Sequence, residues 1–408
     1  MSLYFHENVA ALARRQTLTS PGSIHGEHAT SIGGFFRLRQ TRKNFRFVLQ
    51  NDERNVTDNR MRNLIAATLA GVFALGACWS AKADTYFYSG DPVAGSLTEG
   101  SPDWNDTAGR SGSLESSTAT ILTVDPEESM RLEISVAQQF TTAGRLVVGD
   151  AERLWNDHNQ VVWTGFGPLT LERSDGQPGE FLLEAPRTRR LEGVIVSKGE
   201  YVSTGTVCYV PLLAPKGLVF GGAGYGPERS PEHVNDFHRL TIAGGLEAEG
   251  PCTKIGPSEA VLYGAVKIGG LLHVQEGNLV LASTPLGSEQ SHLEIESMRV
   301  DPDARFAFSA PPDAPPVELT VPLGQPGGDP IIACDGTLAG IKSASLDLLT
   351  SDRQPPTPGR YRLVQNNGHI PSVEEFAGVT LNGSSLPDSC QMDYSADGRS
   401  IDLLVSNE

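Results

Sequence analysis

Apolar residues alternate with polar or small residues in short runs along most of the chain, and glycine separates the runs. Alternation with a period of two residues is typical of β-strands with one buried face, whereas an amphipathic helix repeats about every 3.6 residues. Six such runs begin at steps of 23, 25, 24, 22 and 26 residues, their first apolar residues being Leu146, Leu169, Val194, Leu218, Leu240 and Val266. The pattern predicts short strands that recur with a period in the low twenties.

This interval favours a β-solenoid, in which corresponding strands of successive coils stack above one another. A single coil cannot cover its inward face, so neighbouring coils share that face. We therefore predict an all-β fold, with a parallel β-helix or solenoid over residues 84–287. A Greek-key sandwich is the alternative, because its strands recur about every 8–12 residues. Within residues 127–140, the alternation of Leu132, Ile134 and Val136 favours a strand over a helix.

Proline becomes frequent after residue 287, in the segments 310–330 and 355–359. Because proline lacks the amide hydrogen that a sheet interior needs, we predict that residues 288–408 form a looser, β-rich C-terminal cap. Asp397-Gly398 lies between two alternating runs close to the end of the sequence. This dipeptide favours a turn that matches strand twist, so we predict a hairpin there.

The segment Leu64–Trp79 is almost wholly apolar and follows Arg62. It has 16 residues, fewer than the roughly 20 that a membrane-spanning helix needs. A positive start, a short apolar run and small residues after it are typical of an export signal. The sequence therefore predicts a signal peptide at residues 61–83, cleaved between Ala83 and Asp84.

A signal peptide is recognised near an amino terminus, so we expect Met61 to be the true start and residues 1–60 to be a misassigned or disordered extension. Composition agrees, since residues 1–60 carry nine Lys and Arg against five Asp and Glu, whereas residues 84–408 carry 21 against 44. The acidic part argues against nucleic acid or anionic lipid as partners, because both bind clustered Lys and Arg. Since Leu75-Gly76-Ala77-Cys78 resembles a lipobox, acylation of Cys78 is the alternative to simple cleavage.

Four cysteines follow the predicted cleavage site, namely Cys208, Cys252, Cys334 and Cys390. An even number in an exported chain permits two disulfides. Four buried thiols are an equally good interpretation. No two cysteines have the CxxC spacing of zinc ligands, and we predict neither a metal nor a cofactor.

Residues 240–282 resemble the autotransporter-associated β-strand repeat of large exported proteins of Gram-negative bacteria. The matching positions are Gly250, Thr253, Lys254, Gly256, Ala260, Leu262, Gly264, Gly270, Leu272, Val274, Gly277, Leu279 and Leu281. Pro251-Cys252 and Pro257-Ser258-Glu259 depart from the pattern. The resemblance implies a passenger-like β-helical protein that is secreted or held at the outer membrane. It brings no catalytic residues, because the repeat is structural, and it suggests cell-surface glycans or envelope components as partners.

The tripeptide Trp104-Asn105-Asp106 recurs as Trp155-Asn156-Asp157. An exposed tryptophan ring can stack on the apolar face of a sugar ring. Glycan stacking on Trp104 and Trp155 is therefore one interpretation. Two buried tryptophans that cap the first coils are the other.

Two further groups resemble ligand sites less closely. The glycine-rich segment 221–226 follows an apolar run, but it lacks the G-x-G-x-x-G spacing and prolines follow it, so we interpret it as a surface loop. His233, Asp236 and His238 are metal-binding residue types. No fourth ligand accompanies them, and we expect a solvated loop.

Asp301, Asp303 and Arg305 are of the residue types that polysaccharide lyases and hydrolases use as acid and base. As sequence neighbours at a strand–loop boundary, they are more consistent with an exposed turn. We therefore predict an exported, non-enzymatic solenoid with a structural or adhesive role at a bacterial surface. A β-helical carbohydrate-active enzyme and a carbohydrate-binding lipoprotein are the alternatives.

Overall fold

The computed structural model describes residues 84–407 apart from the segments 92–93, 99, 110–113, 115–118, 125–130, 138–139, 143, 150–154, 157–159, 185–187, 190–203, 224–237, 284–289 and 369–373. The described residues form strands and two short 3-10 helices, Ile341–Ser343 and Ser351–Arg353, and none of them lies in an α-helix. The prediction of an all-β fold is confirmed.

The strands are short because glycine and proline interrupt the apolar alternation every few residues. The first fifteen are β1 (Asp84–Tyr88), β2 (Ala94–Leu97), β3 (Trp104–Asp106), β4 (Ala119–Val124), β5 (Arg131–Val136), β6 (Phe140–Thr142), β7 (Arg145–Val148), β8 (Trp155–Asn156), β9 (Gln160–Gly165), β10 (Leu169–Leu171), β11 (Gly179–Glu184), β12 (Thr188–Arg189), β13 (Thr204–Cys208), β14 (Leu212–Ala214) and β15 (Leu218–Ala223).

The strands that follow in the second half of the chain are β16 (His238–Ile242), β17 (Leu246–Ala248), β18 (Cys252–Ile255), β19 (Glu259–Leu262), β20 (Ala265–Val274), β21 (Gly277–Ala282), β22 (His292–Val300), β23 (Ala304–Ser309), β24 (Val317–Pro322), β25 (Ile332–Cys334), β26 (Thr337–Ala339), β27 (Ala344–Leu349), β28 (Gly359–Asn366), β29 (Gly378–Leu381), β30 (Ser384–Ser385), β31 (Cys390–Tyr394) and β32 (Ser400–Val405). β5 confirms the strand expected within residues 127–140.

Successive coils of the chain contribute strands to three parallel faces. Face 1 consists of β2, β5, β9, β13, β16, β19, β21, β23 and β26, each paired in parallel with the next. Face 2 consists of β6, β10, β14, β17, β20, β22, β24, β27 and β29. Face 3 consists of β1, β4, β7, β11, β15, β18, β20, β22, β25 and β28. Because β20 and β22 each run through faces 2 and 3, those two faces form one sheet.

Alternate side chains of all three faces point into one shared core. In β20, for example, Val266, Ile268, Leu272 and Val274 are buried, and the residues between them are more exposed. Parallel pairing stacks each buried residue on equivalent residues of the coils before and after it. Full burial of one such side chain stabilises the fold by roughly 1.5–3 kcal/mol. The parallel β-solenoid predicted from the alternation is therefore the fold observed.

The coils differ in length, and the predicted period in the low twenties is wrong. Face 1 strands begin at residues 94, 131, 160, 204, 238, 259, 277, 304 and 337, so the step varies from 18 residues (259 to 277) to 44 residues (160 to 204). The runs that gave the even interval do not stack on each other, because they lie on face 3 (Leu146, Leu218), face 2 (Leu169, Val266) and face 1 (Leu240). Val194 lies outside the described residues.

Parallel pairing continues across residue 287, where the sequence suggested that a looser region begins. β22 stacks on β20, and face 3 continues through β25 to β28. The prolines are accommodated because the segment 310–316 connects β23 to β24 and Pro322 is the last residue of its strand. The pairing turns antiparallel only at the C-terminal end, where β32 lies between β28 and β31 and β30 pairs with β29.

Antiparallel strands close both ends of face 3. β3 pairs with β1 at the N-terminal end, and β32 pairs with β28 at the C-terminal end. The hairpin predicted at Asp397-Gly398 joins β31 to β32, with Met392 opposite Leu403 and Gly398 at φ 71°. Open strand edges pair readily with other chains, so these strands protect the ends of face 3 from edge-to-edge association.

Candidate functional site

A row of polar side chains runs along the outside of face 3 and the corner that follows it. We call this row the polar ladder, and it consists of His273, Gln275, Arg299, Asp301, Asp335, Gln365 and Asn367. The register of β20, β22, β25 and β28 produces it, because His273 pairs with Arg299, and Ala333 pairs with both Arg299 and Gln365. The residues between two ladder residues of one coil, such as Val274 and Val300, are buried in the core. Gln275, Asp301 and Asp335 occupy the same corner position on three successive coils.

The centre of the polar ladder is the carboxylate of Asp301. Its Oδ2 lies 2.9 Å from Nε2 of His273 on the preceding coil, and its Oδ1 accepts a hydrogen bond of 3.0 Å from Nε of Arg299. Because a carboxylate only accepts, His273 donates through Nε2, which leaves Nδ1 to accept from the Gln275 amide at 3.4 Å. Burial raises the pKa of Asp301, but His273 and Arg299 together outweigh burial and hold this pKa below its usual value.

The polar ladder continues towards the C-terminal end of the stack. The amide of Asn367 donates to Asp335 at 3.1 Å and accepts from Gln365 at 3.0 Å. Arg362 hydrogen-bonds both Gln365 and the carboxylate of Asp402. The polar ladder therefore ends at the carboxylate of Asp402 on β32, one of the antiparallel strands at the C-terminal end, which we call the antiparallel cap (β28, β31 and β32).

Asp402 is fully buried and pairs with two guanidinium groups. Arg360 lies 2.6 Å from Asp402 and also 3.2 Å from Asp393 of the neighbouring strand. These contacts join β28, β31 and β32 by charge as well as by backbone hydrogen bonds. Their arrangement indicates a role in fixing the cap rather than in binding a ligand.

Asp301 and Asp335 occupy equivalent corner positions on adjacent coils, since Val300 pairs with Cys334. Adjacent strands lie about 4.8 Å apart, and two carboxyl groups about 5 Å apart suit a retaining glycosidase. A general acid, however, needs a raised pKa, whereas the pKa of Asp301 is lowered. As it stands, Asp301 is suited to act as an anion, and both of its oxygens already have basic partners.

Asp301, Asp303 and Arg305, which the sequence predicts to form an exposed turn, lie on different parts of the coil. Asp303 is exposed in the turn that follows Asp301, and Arg305 belongs to β23 of face 1. The actual partners of Asp301 come from β20 and β22. Sequence reasoning missed them because the pairing of His273 with Arg299 depends on coil register.

The glycine-rich run after Leu218–Phe220 is part of a strand and not wholly a loop. Gly221 and Gly222 lie within β15, where the backbones of adjacent coils approach closely. His233 and Asp236 lie outside the described residues, and His238 begins β16. Within the described part of the chain, no group of three or more His, Cys, Asp or Glu side chains is arranged to hold a metal ion.

Trp104 lies in the core and not at the surface. It has no exposed area, its indole Nε1 donates to the Ser96 carbonyl at 2.8 Å, and its ring packs edge-on against Tyr88 at 5.5 Å between centroids. The buried interpretation therefore fits Trp104, and the stacking interpretation does not, because no ring face is open to a sugar. Trp155 forms β8, which pairs with β12; the position of its side chain is outside the described residues.

Lys254 is a buried cation. The sequence identifies it only as a position that matches the repeat and assigns it no role. Its ammonium group donates to the carbonyl oxygens of Ile255 at 3.1 Å, Gly256 at 2.6 Å and Glu276 at 2.8 Å. Glu276 belongs to the next coil, so Lys254 ties two consecutive corners together. Gly221 makes room for it, since a Cβ there would lie 2.9 Å from the Lys254 side chain.

All four cysteines that follow the predicted cleavage site are free thiols buried in the fold. This favours the buried-thiol interpretation over two disulfides. Cys78 and Ala83, with the proposed lipidation and cleavage, lie outside the described residues, and Asp84 is the first residue of β1. Among the described residues there is no helix of the length and apolar character needed to cross a membrane.

Comparison with protein-family models, with curated proteins and with solved structures found no match to this chain.

Proposed function

We propose that this protein is an exported, non-enzymatic β-solenoid with a structural or adhesive role at the surface of a Gram-negative-type bacterium. The observation that carries the proposal is the continuous parallel stack of coils, in which hydrogen bonds from His273 and Arg299 hold the carboxylate of Asp301 as an anion. Such an arrangement stiffens the stack and leaves the carboxylate no proton to deliver. The resemblance of residues 240–282 to the autotransporter-associated repeat supports the same role.

Export is supported by the signal-like segment 61–83 and by the acidic composition of the chain that follows. Net negative charge keeps molecules of one kind apart in solution and weakens contact with anionic lipid. The acidic stack is therefore suited to extend from a cell envelope without collapsing onto it. The proposal includes two forms of the exported protein, one secreted freely and one anchored by a lipid on Cys78.

Expression of the full chain in a Gram-negative host tests the proposal. We expect mass spectrometry of the mature amino terminus to find Asp84, or acylated Cys78, and protease added to whole cells to digest the protein. Val72→Asp, which places a charge in the apolar run, should block export, and Cys78→Ser should abolish only the lipidated form. A protein that stays in the cytoplasm with residues 1–60 attached would contradict the proposal.

A polysaccharide-cleaving enzyme is the second candidate, favoured by the positions of Asp301 and Asp335 on adjacent coils beside His273. It predicts turnover of one member of a panel of plant and bacterial polysaccharides. Asp301→Asn should abolish that turnover, whereas Asp303→Asn, in the exposed turn, should leave it unchanged. Equal activity of the two variants would exclude this candidate, and absence of turnover in the parent protein would favour the first.

A further inference from the structure

Aromatic side chains mark one corner of the coil stack, between face 1 and face 2. Phe166 lies between β9 and β10, Tyr209 between β13 and β14, and Tyr263 between β19 and β20. The strands on either side of these connections stack in parallel, so the three connections lie along the same corner. We call these three residues the aromatic corner.

The aromatic corner is open to solvent where most large apolar side chains of the described chain are buried. Phe166 is 100% exposed and Tyr209 is 56% exposed, whereas Tyr263 is half-buried. Exposed aromatic rings cost solvation free energy, and their grouping on one edge marks a contact surface. Nothing in the packing of the core requires these rings to face outwards.

The coil between the two tyrosines has only small residues at this corner, Ala243 and two glycines. Gly244 fits because a Cβ there would lie 2.2 Å from the Val210 carbonyl oxygen. Since each coil rises by about 4.8 Å, Tyr209 and Tyr263 stand roughly 10 Å apart along the stack, with a shallow notch between them. A backbone hydrogen bond joins adjacent coils at this corner, from the Leu169 amide to the Pro211 carbonyl at 2.8 Å.

Arg239 and Glu259 lie near the start of the two face 1 strands that end at this corner, β16 and β19. Burial raises the pKa of Tyr263, Arg239 lowers it, and Glu259 and Tyr209 raise it, so its hydroxyl is within electrostatic reach of all three. Arg239 and Glu259 form an ion pair of 2.6 Å on the outer side of face 1. Guanidinium and carboxylate groups are strong hydrogen-bonding partners for hydroxyl groups.

We propose that the aromatic corner binds a neutral oligosaccharide laid along the stack. Aromatic faces stack on the apolar faces of pyranose rings, and the small residues between the two tyrosines leave room for a ring. An anionic ligand such as a polyuronate is disfavoured, because the chain from residue 84 onwards carries 44 acidic against 21 basic side chains. The inference rests on the adhesive function proposed above, and it names an oligosaccharide as the ligand to which the protein would adhere.

Titration calorimetry with the purified full chain tests the inference, using cellohexaose and chitohexaose as probes and hexagalacturonate as the anionic comparison. We expect at least one neutral hexasaccharide to bind and the anionic one to fail. Tyr209→Ala should weaken binding at least tenfold, Phe166→Ala should weaken it several-fold, and Tyr209→Phe should retain it. Because Tyr209 and Phe166 are exposed, all three variants should melt at the parental temperature.

Phe87→Ala is the matched control, since Phe87 is 45% exposed but lies on β1 of face 3, away from the corner. It should bind the hexasaccharide with parental affinity. Absence of binding to both neutral probes, or an equal loss in Phe87→Ala and Tyr209→Ala, would overturn the inference. The measurement uses purified protein, so it fails or succeeds independently of where the protein is located in the cell.

Discussion

At the scale of one residue, Lys254 shows how a buried charge is accommodated in this fold by hydrogen bonds to backbone carbonyls. Lys254 has no exposed area, yet its ammonium group meets three carbonyl oxygens from two consecutive corners. An ammonium group carries three donors and no acceptor, so these contacts satisfy it completely. The lysine thus acts as a clamp between coils, and its removal leaves corner carbonyls unpaired.

Lys254→Met should lower the free energy of unfolding by about 1–3 kcal/mol, because it takes a donor away from buried carbonyl acceptors. Urea unfolding followed by circular dichroism measures the change. Lys267→Met is the control, since Lys267 is 58% exposed and pairs with Glu294 at 3.3 Å; we expect a change below about 1 kcal/mol. Similar losses in the two variants would show that Lys254 is not a clamp.

The buried carboxylate Asp402 links stability to pH. Burial raises the pKa of this group, but Arg360 and Arg362 outweigh burial, so the pKa is lowered. A group with a lowered pKa stabilises the fold above its unfolded value, about 3.9 for Asp, and this contribution is lost as the pH falls through the folded value. Asp402→Asn should therefore be less stable than the parent at pH 7, and the difference should shrink in acid.

Thermal melts between pH 7 and pH 2 measure this dependence. Asp393→Asn serves as the control, because Asp393 is 43% exposed and contacts only the outer side of Arg360 at 3.2 Å. We expect it to change the melting temperature little at any pH. A constant gap between the parent and Asp402→Asn across the whole range would contradict the linkage.

Burial also determines the chemistry of the cysteines. It raises the pKa of Cys208 and of Cys252 to about 12, so almost no thiolate is present near neutral pH. We expect both thiols to resist a disulfide reagent in the native protein and to react after unfolding in guanidinium. An increase in mass on reduction of the purified protein would show instead that cysteines are paired.

At the scale of one element, β15 shows why glycine recurs in these strands. The sequence suggested a surface loop after Phe220, but Gly221 and Gly222 continue the strand with φ of 114° and 139°. A Cβ on Gly222 would lie 2.2 Å from the carbonyl oxygen of Leu183 on the preceding coil. Close stacking of coils, rather than a ligand, explains this glycine pair.

Gly222→Ala should therefore destabilise the protein by at least about 2 kcal/mol through overpacking against the preceding coil. Gly176→Ala provides the comparison, because Gly176 also has positive φ, 76°, but no atom lies within 4 Å of its Cβ position. Its cost should be only the backbone term, about 1 kcal/mol. Denaturant unfolding of both variants separates the contribution of packing from that of backbone conformation.

Alternation was enough to locate strands such as β5, β10 and β20 and to predict that one side of each is buried. It was not enough to assign strands to faces, because a strand on any face has the same period of two. Leu240 and Val266 look equivalent in sequence, yet they belong to face 1 and face 2. For the same reason, the sequence did not predict the partners of Asp301 or the aromatic corner. The residues of each group lie on successive coils, and the number of residues from one coil to the next varies.

At the scale of the whole stack, pairing between coils is the repeating unit, and coil length is free to vary. Glu259 pairs with Asn278, so residues 258–276 span one complete coil. Their deletion joins Pro257 to Gly277 and returns every later strand to an equivalent position. We expect this variant to keep the β-type circular dichroism spectrum and a cooperative thermal transition, since each coil contacts mainly its neighbours.

Deletion of residues 259–267 makes the matched control, because it removes only part of a coil and moves face 1 residues onto face 2. That variant should lose cooperative unfolding. If both deletions abolish the transition, the coils are not interchangeable, and the nearest-neighbour description of the stack is wrong.

The spread of coil lengths, from 19 residues (Glu259 to Asn278) to 45 residues (Gln160 to Gly205) by the pairing register, has a use beyond this protein. Among the described residues, connections of different length, such as 249–251 between β17 and β18 and 310–316 between β23 and β24, leave the parallel pairing of the strands intact. Gly176 lies in another such connection, between β10 and β11, with open space around it. An epitope or a small domain inserted at this point should be exposed to solvent and should leave the pairing of the strands unchanged. The protein is therefore suited to serve as a scaffold for peptide display.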